Sequence, residues 1–235
     1  MRNVKNKYTE FHLKKASSHL YPTEWVIRTM LGNYPELKLD KSNYQDGKIL
    51  DLGFGDCRNI SLLHNCGLNI YGVEITEETV AFGLETARNL KLKVDFRIGS
   101  NISIPFEDGC FDYILASSSC YYIDNNATFN DNLHEILRVL KKGGSFIANF
   151  PAFVPFKNIP VSFILQDAIL QDHGHVIIKN DIYGIRNGYK FKSFHSKEDV
   201  KEFFDLYFDD ISIGVCMDNY YGVQINSYIF TGKKR

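Results

Sequence analysis

The chain has 235 residues, 27 Lys and Arg against 28 Asp and Glu, and a net charge of −1. That length suits one α/β unit with a modest elaboration. The balanced charge speaks against a phosphate-backbone partner, so no nucleic acid is expected. Aromatic residues make up 14% of the chain, enough for a sizeable core and an aromatic-lined pocket. The five cysteines, at 57, 66, 110, 120 and 216, form neither a CxxC pair nor a zinc-like His/Cys group, and they are read as reduced, mostly buried thiols with no metal.

In chain order, residues 1–44 come first and are expected to form an N-terminal helical lid. Their opening, "MRNVKNKYTEFHLKKASS", is charged and lacks an apolar run of signal-peptide length, and no later run approaches a membrane span; a cytoplasmic chain with no membrane partner is expected. In "LYPTEWVIRTML" (20–31), Thr23 can cap an apolar helix that is either a lid carrying Tyr21 or a plain packing helix.

Short apolar runs then alternate with helical patterns, the grammar of a parallel α/β sheet. "KILDLG" (48–53), "NIYGVEI" (69–75), "VDFRIG" (94–99), "FDYILASS" (111–118) and "SFIANF" (145–150) read as strands, with Asp112 a structural acid. Between them, Val80, Leu84 and Ala87 mark one helical face, and Phe129, Leu133, Ile136, Leu137 and Leu140 another. "KKGG" (141–144) supplies cations and a glycine stop to the second helix.

Beyond residue 150, "FPAFVPFKNIP" holds three of the six prolines and cannot be regular helix or central strand, so residues 151–195 read as an inserted cap. "SKED" (196–199) resembles a capping box opening a helix with Val200, Phe203, Phe204 and Tyr207 on its apolar face. "ISIGVCM" (211–217) and "QINSYIFTG" (224–232) close the chain as a hairpin through "DNYYG", with Cys216 and Met217 in the core. The expectation is a single doubly wound domain with a mostly parallel seven-stranded sheet and an antiparallel C-terminal hairpin.

"ILDLGFGDCRNI" (49–60) places a strand end at Asp51 or Leu52, a turn through Gly53 and Gly55, and a helix start near Asp56. The carboxyl end of a first strand is a ligand site in such sheets, and glycines let a ligand approach the main chain. Glu74 follows the glycines at about the separation expected of an acid that accepts hydrogen bonds from a ribose diol. These features alone serve a nicotinamide cofactor or S-adenosylmethionine equally. The third glycine of G-x-G-x-x-G is Arg58 here, which weakens the dinucleotide pattern.

Over roughly residues 45–150 the sequence resembles the class I S-adenosylmethionine-dependent methyltransferases. "ILDLGFGDCRNI" is similar to their first motif, "GVEIT" to their ribose-acid motif, "IPFEDGCFDYILASSSCYYI" to the segment through the fourth strand, and "EILRVLKKGGSFIANF" to the helix, turn and fifth strand. The resemblance implies that Asp51, Gly53 and Gly55 floor the methionine part, that Glu74 accepts the ribose and that Ile75 packs on the adenine. Ser100, Asn101 and Ile102 would meet the adenine edge, with Tyr21, Asp56 and Ser117 completing the set. Two departures stand out: Ser100 replaces the usual acid, and Cys57 replaces the usual third glycine, so the helix entry is expected to manage without a positive φ there.

In such folds the acceptor is met by the loop after the fourth strand, here with Tyr121, Tyr122 and Asp124, and by the insertion, here with His173, His175, Tyr183, Arg186 and His195. If the acceptor is a hydroxyl, a base must take its proton, and His173 or His175 is the candidate. Asp172 with these two histidines hints at a metal, but no third ligand is fixed. The expectation is O-methylation of a small molecule such as a sugar or sugar nucleotide in polysaccharide biosynthesis. N-methylation of a small amine is the alternative, followed by an NAD-dependent oxidoreductase and a non-catalytic scaffold. The oligomeric state is not legible.

Overall fold

The computed structural model describes residues 21–153 and 159–235. The elements, in chain order, are α1 (Glu24–Leu31), β1 (Lys48–Leu52), α2 (Ile60–Asn65), β2 (Asn69–Glu74), α3 (Glu77–Asn89), β3 (Val94–Ile98) and β4 (Phe111–Ala116). There follow β5 (Tyr122–Ile123), α4 (Phe129–Val139), β6 (Leu140–Pro151), β7 (Ile169–Leu170), β8 (His175–Ile177), β9 (Lys190–Lys192), α5 (Lys197–Phe204), β10 (Phe208–Tyr220) and β11 (Val223–Lys234).

Among the described residues, the main sheet has seven strands in the order β10-β11-β6-β4-β1-β2-β3. Pairing is parallel from β6 to β3 and antiparallel at β11–β6 and β10–β11. This is the expected doubly wound sheet with its terminal hairpin. The hairpin closes at Tyr221 and Gly222, both at positive φ (51° and 94°), which suits a tight turn matched to the strand twist. Because β1 pairs with β2 on one side and β4 on the other, the order reverses beside β1. That reversal opens a crevice at the strands' carboxyl ends.

Strand alternation sends Leu50 and Leu52 into one core layer and Ile49 into the other, so both sheet faces are dry. The larger layer is dense in aromatic rings: Phe204 of α5 stacks on Phe230 of β11 at 4.2 Å, with Phe208 and Phe146 alongside. Emptying one such fully buried ring costs about 3–5 kcal/mol. No helix among the described residues is long and apolar enough to cross a membrane.

The insertion supplies three strands of a second sheet, β5-β9-β8-β7. It is attached to the loop after β4, because Tyr122 pairs with Phe191 and the Lys192 amide donates to the Tyr121 carbonyl at 2.9 Å.

Several local expectations change. The first loop does not enter a helix near Asp56: α2 begins at Ile60, and Cys57 does adopt a positive φ of 62°. A buried cysteine thus takes the conformation that glycine takes more cheaply, and burial holds it there. Leu84 is exposed on α3, where Thr79, Val80, Gly83 and Ala87 face inward. "KKGG" belongs to the lead-in of β6 rather than to a helix stop: Lys141 pairs with Asp112 at 2.7 Å. The α4 carbonyls of Leu137 and the following Leu140 are met by the Lys234 ammonium from the far end of β11.

Asp199 does not complete a reciprocal box, since it accepts from the His195 amide while Ser196 Oγ accepts from Asp199 N. Cys216 is half-buried and Met217 exposed on the edge strand, so neither is core. Cys66 and Cys110 are likewise half-buried, and all five thiols are free. Helix α1 is a packing element over its described length, with Trp25, Val26 and Met30 in the second core layer. Thr23 heads it without a side-chain cap, its amide instead donating to Asn59 Oδ1 at 3.1 Å.

Candidate active site

Two adjoining cavities open at the crevice, sharing Gly53 and Tyr122 in their walls. The first runs along the carboxyl ends of β1, β2 and β3. Gly53, Glu74, Ile75, Ser100 and Asn101 line it, as expected, together with Asp124, Ser119 and Tyr189. The second is a cavity of about 310 Å³ between the first loop, the loop after β4 and the insertion. Gly55, Asp56, Ser117, Tyr121, Tyr183 and Arg186 line it, as do Arg58, Ser118, Asn149 and Phe163.

The first loop is built almost entirely from constrained backbone. Gly53 and Gly55 have φ of +74° and +54°. A Cβ at Gly53 would come within 2.5 Å of Ser119 Cβ, so glycine is required there by both conformation and space. Ser119 in turn donates its hydroxyl to the Leu52 carbonyl, tying the β4 loop to the end of β1. Glu74 does more than face a ligand: one carboxylate oxygen accepts from Gly55 N at 2.9 Å and the other from Ile75 N at 3.0 Å. Each oxygen keeps a lone pair for a further donor. Burial pushes the Glu74 pKa up, opposed by those two amides.

Asp51 is fully buried behind this loop, and neither of its carboxylate oxygens has a hydrogen-bond partner. Burial, then the nearby Glu74 and Asp56 charges, push its pKa up to about 8. It lines neither cavity, so it underlies the floor rather than forming it. Asp56 is held by Arg58, whose Nε and Nη2 both reach its carboxylate. Three buried acids crowd one loop beside one guanidinium, and that crowding keeps Asp51 protonated for want of a cation.

A ligand carrying positive charge favours the ionised form of Asp51, and one carrying a vicinal diol meets Glu74. S-adenosylmethionine has a sulfonium, an ammonium and a ribose diol. The orphaned Asp51, the bare Gly53 and the half-used Glu74 fit it.

Other expected residues fall elsewhere. Asn101 lines the first cavity, but its amide nitrogen is spent on the carbonyls of Ser119 and Tyr122 at 3.1 and 3.0 Å, so it braces the β4 loop. Ile102 is 38% exposed and Tyr21 75% exposed, and neither lines either cavity. Asp124, an acceptor candidate, sits with Glu74 and Ile75 instead.

The histidines are displaced too. His175 lies in β8, paired with Lys192 and separated from β5 by β9, and lines neither cavity. Exposed His195 packs on Phe153 at 5.1 Å and borders a different groove with Gly174 and Lys192. His173 lies in the 3-10 turn Asp172–Gly174 that enters β8. Among the described residues no group of three His, Cys, Asp or Glu could hold a metal.

Sequence reasoning missed Ser118, Ser119, Asn149 and Tyr189. Ser118 takes a positive φ of 59° and donates its amide to Asn149 Oδ1 at 2.7 Å, a pairing between β4 and β6 ends that only the fold creates. The run of three serines after β4 was the available signal.

Residues 50–148, from β1 into β6, match a family described as "Methyltransferase domain". Over this stretch the chain carries a methyltransferase domain. The cofactor of this class is S-adenosylmethionine. The methyltransferase domain is 29% identical over 104 residues to ajmaline N-methyltransferase of Rauvolfia serpentina, covering 42% of this chain and 34% of that protein. It is 29% identical over 123 residues to demethylmenaquinone methyltransferase of Bacillus cytotoxicus, 49% of this chain and 51% of the other. The chain thus spans between a third and about half of these relatives' length. Among solved structures, the PH0226 protein of Pyrococcus horikoshii shares the fold with a TM-score of 0.56 and 24% identity, over 83% of this chain and 85% of that one.

Proposed function

We propose that the protein transfers a methyl group from S-adenosylmethionine to the nitrogen of a small-molecule amine. The observation that carries this reading is the charge of the crevice: Asp51, Asp56 and Glu74 are buried around the first loop against one paired arginine, a setting for a cationic cofactor. When bound, the cofactor supplies an electrophilic methyl on a sulfonium. Glu74 would hold the ribose hydroxyls, and Ile75 and Ser100 would border the adenine. The first loop would carry the methionine end, with Asp51 behind it as counter-charge.

The chain's own part in the reaction is then to align and to exclude water. In-line displacement at a sulfonium disperses charge, so positioning in a dry pocket outweighs charged catalysis. Tyr121, in the wall of the larger cavity, stacks at 5.2 Å on Tyr122, which both cavities share, and burial holds both phenols protonated, which suits donating or accepting a hydrogen bond rather than acting as a base. A sugar hydroxyl needs a proton acceptor at the reacting oxygen. The reading of an O-methyltransferase leaned on His173, His175 and His195, and of these His175 and His195 border neither cavity. A neutral amine attacks unaided, and the N-methyltransferase named above fits that alternative. We assign the 151–195 insertion as the acceptor-site cap and treat the chain as one domain.

Calorimetric titration with S-adenosylhomocysteine, with NAD as the control, tests the cofactor. Turnover of labelled S-adenosylmethionine across matched panels of small amines and sugars tests the acceptor. Transfer to sugars alone would overturn the amine reading.

A further inference from the structure

Arg186 is the one guanidinium that the insertion contributes to the wall of the larger cavity. Its side chain is 17% exposed, and it is fixed from two sides. Nη1 donates to both carboxylate oxygens of fully buried Asp181 at 3.1 and 3.0 Å, and Nε donates to Tyr122 Oη at 3.1 Å. Nη2, with two N–H donors, has no protein partner among the described residues.

Asp181 does not cancel this cation outright. Its carboxylate also accepts from the backbone amides of Tyr183, Ile185 and Arg186 at 3.3, 3.1 and 3.1 Å, so its charge is shared with a turn of the main chain. The guanidinium carbon lies 5.9 Å from the centre of the Phe163 ring, and Phe163 packs edge-on to Tyr183 at 5.8 Å. A rigid, partly desolvated planar donor pair next to aromatic rings recognises an oxyanion far better than a neutral group. Arg58 lines the same cavity but is the more solvated of the two, 38% exposed, and is paired with Asp56 within the first loop.

We propose that Arg186 binds an anionic group, a carboxylate or a phosphate, carried by the methyl acceptor. This deepens the methyltransferase reading and rests on it: the acceptor is an amine that also bears an oxyanion, held by the insertion while the cofactor is held by the strand ends. Tyr122, which accepts from Arg186 and lines both cavities, joins the two halves.

The test uses the full chain saturated with S-adenosylhomocysteine and two probe pairs, benzoate with benzamide and phenyl phosphate with phenol, followed by ligand-detected NMR titration. At least one anion should bind about ten-fold more tightly than its neutral partner, and which one does so identifies carboxylate or phosphate. Arg186→Met should abolish that preference while its affinity for S-adenosylhomocysteine stays within about three-fold of wild type. Should Arg186→Met fold poorly, Arg186→Lys keeps a cation for Asp181 but removes the Nη2 pair, and should cut the preference about five-fold.

Equal or absent binding of anion and neutral partner overturns the proposal, as does a preference that survives either variant. A ten-fold loss of S-adenosylhomocysteine affinity in the variants would assign Arg186 to the cofactor's own carboxylate and overturn it as well. Failure of the wild type to bind S-adenosylhomocysteine at all would instead defeat the methyltransferase reading beneath it, and this proposal with it.

Discussion

The first loop and the insertion flank the same cavity but are made of different material. Around Gly53, Gly55 and Cys57 the wall is backbone in positive-φ conformations, braced by Glu74 and Ser119. In the insertion the wall is side chain: Tyr183 and Arg186 project from the connection between β8 and β9, held by strand pairing of β9 to Tyr122 and by the Arg186–Tyr122 contact. A backbone-built surface cannot vary without breaking the loop, whereas a side-chain-built surface can change by substitution. The loop suits a ligand that never changes, and the insertion suits the one that defines specificity.

The harshest way to break this comparison is at Gly53. Gly53→Val meets Ser119 Cβ and a positive φ together, and should cost about 3 kcal/mol or more of folding stability by urea titration. A loss below about 1 kcal/mol would mean the backbone there is not constrained.

Next comes Glu74→Gln, which sets an amide N–H against the Gly55 or Ile75 amide and removes the charge. It should weaken S-adenosylhomocysteine binding more than ten-fold, a charge-assisted contact contributing about 1.5–3 kcal/mol. Because Glu74 also braces the loop, the melting temperature should fall as well. Intact affinity by calorimetry would take the ribose role from it.

Asp51 gives a pH signature. Its folded pKa of about 8 lies above the unfolded carboxylate value, so the folded apo protein holds the extra proton. This group's stabilising contribution is therefore full below the unfolded pKa of about 4 and is lost as pH rises through about 8. Thermal melts of the ligand-free chain from pH 5 to 9 should decline more steeply in wild type than in Asp51→Asn. Cationic ligand should bind more tightly as pH rises through that window, with proton release that calorimetry in two buffers of different ionisation heat detects. Parallel melting profiles would show that Asp51 does not titrate there.

The smallest effect belongs to the insertion's far side. His175→Ala should leave S-adenosylhomocysteine affinity and turnover within about two-fold, because β9 separates it from the crevice. A hundred-fold fall in turnover would restore it as a base.

Much of the scaffold was legible because period and punctuation are local. The runs at 48–53, 69–75, 94–99 and 111–118 became strands within one or two residues at either end, and Glu74 and Gly53 were placed at the crevice from their spacing alone. The positive φ of Cys57 was not legible, since residue type argues against it and only its complete burial holds it. Nor was the spent amide of Asn101, which depends on a loop eighteen and more positions away.

By itself, then, the sequence determined the strand and helix alternation, the glycine turn, the ribose acid and the closing hairpin. These follow from hydrophobic period and backbone freedom, which a dozen residues contain. Only the tertiary structure decided which side chains of the insertion face the crevice. A two-residue strand such as β5 carries almost no pattern of its own, yet its pairing to β9 brings Tyr122 against Arg186 and leaves His175 outside. Register between distant strands is set by packing across the whole sheet, and a one-residue slip turns every side chain to the opposite face.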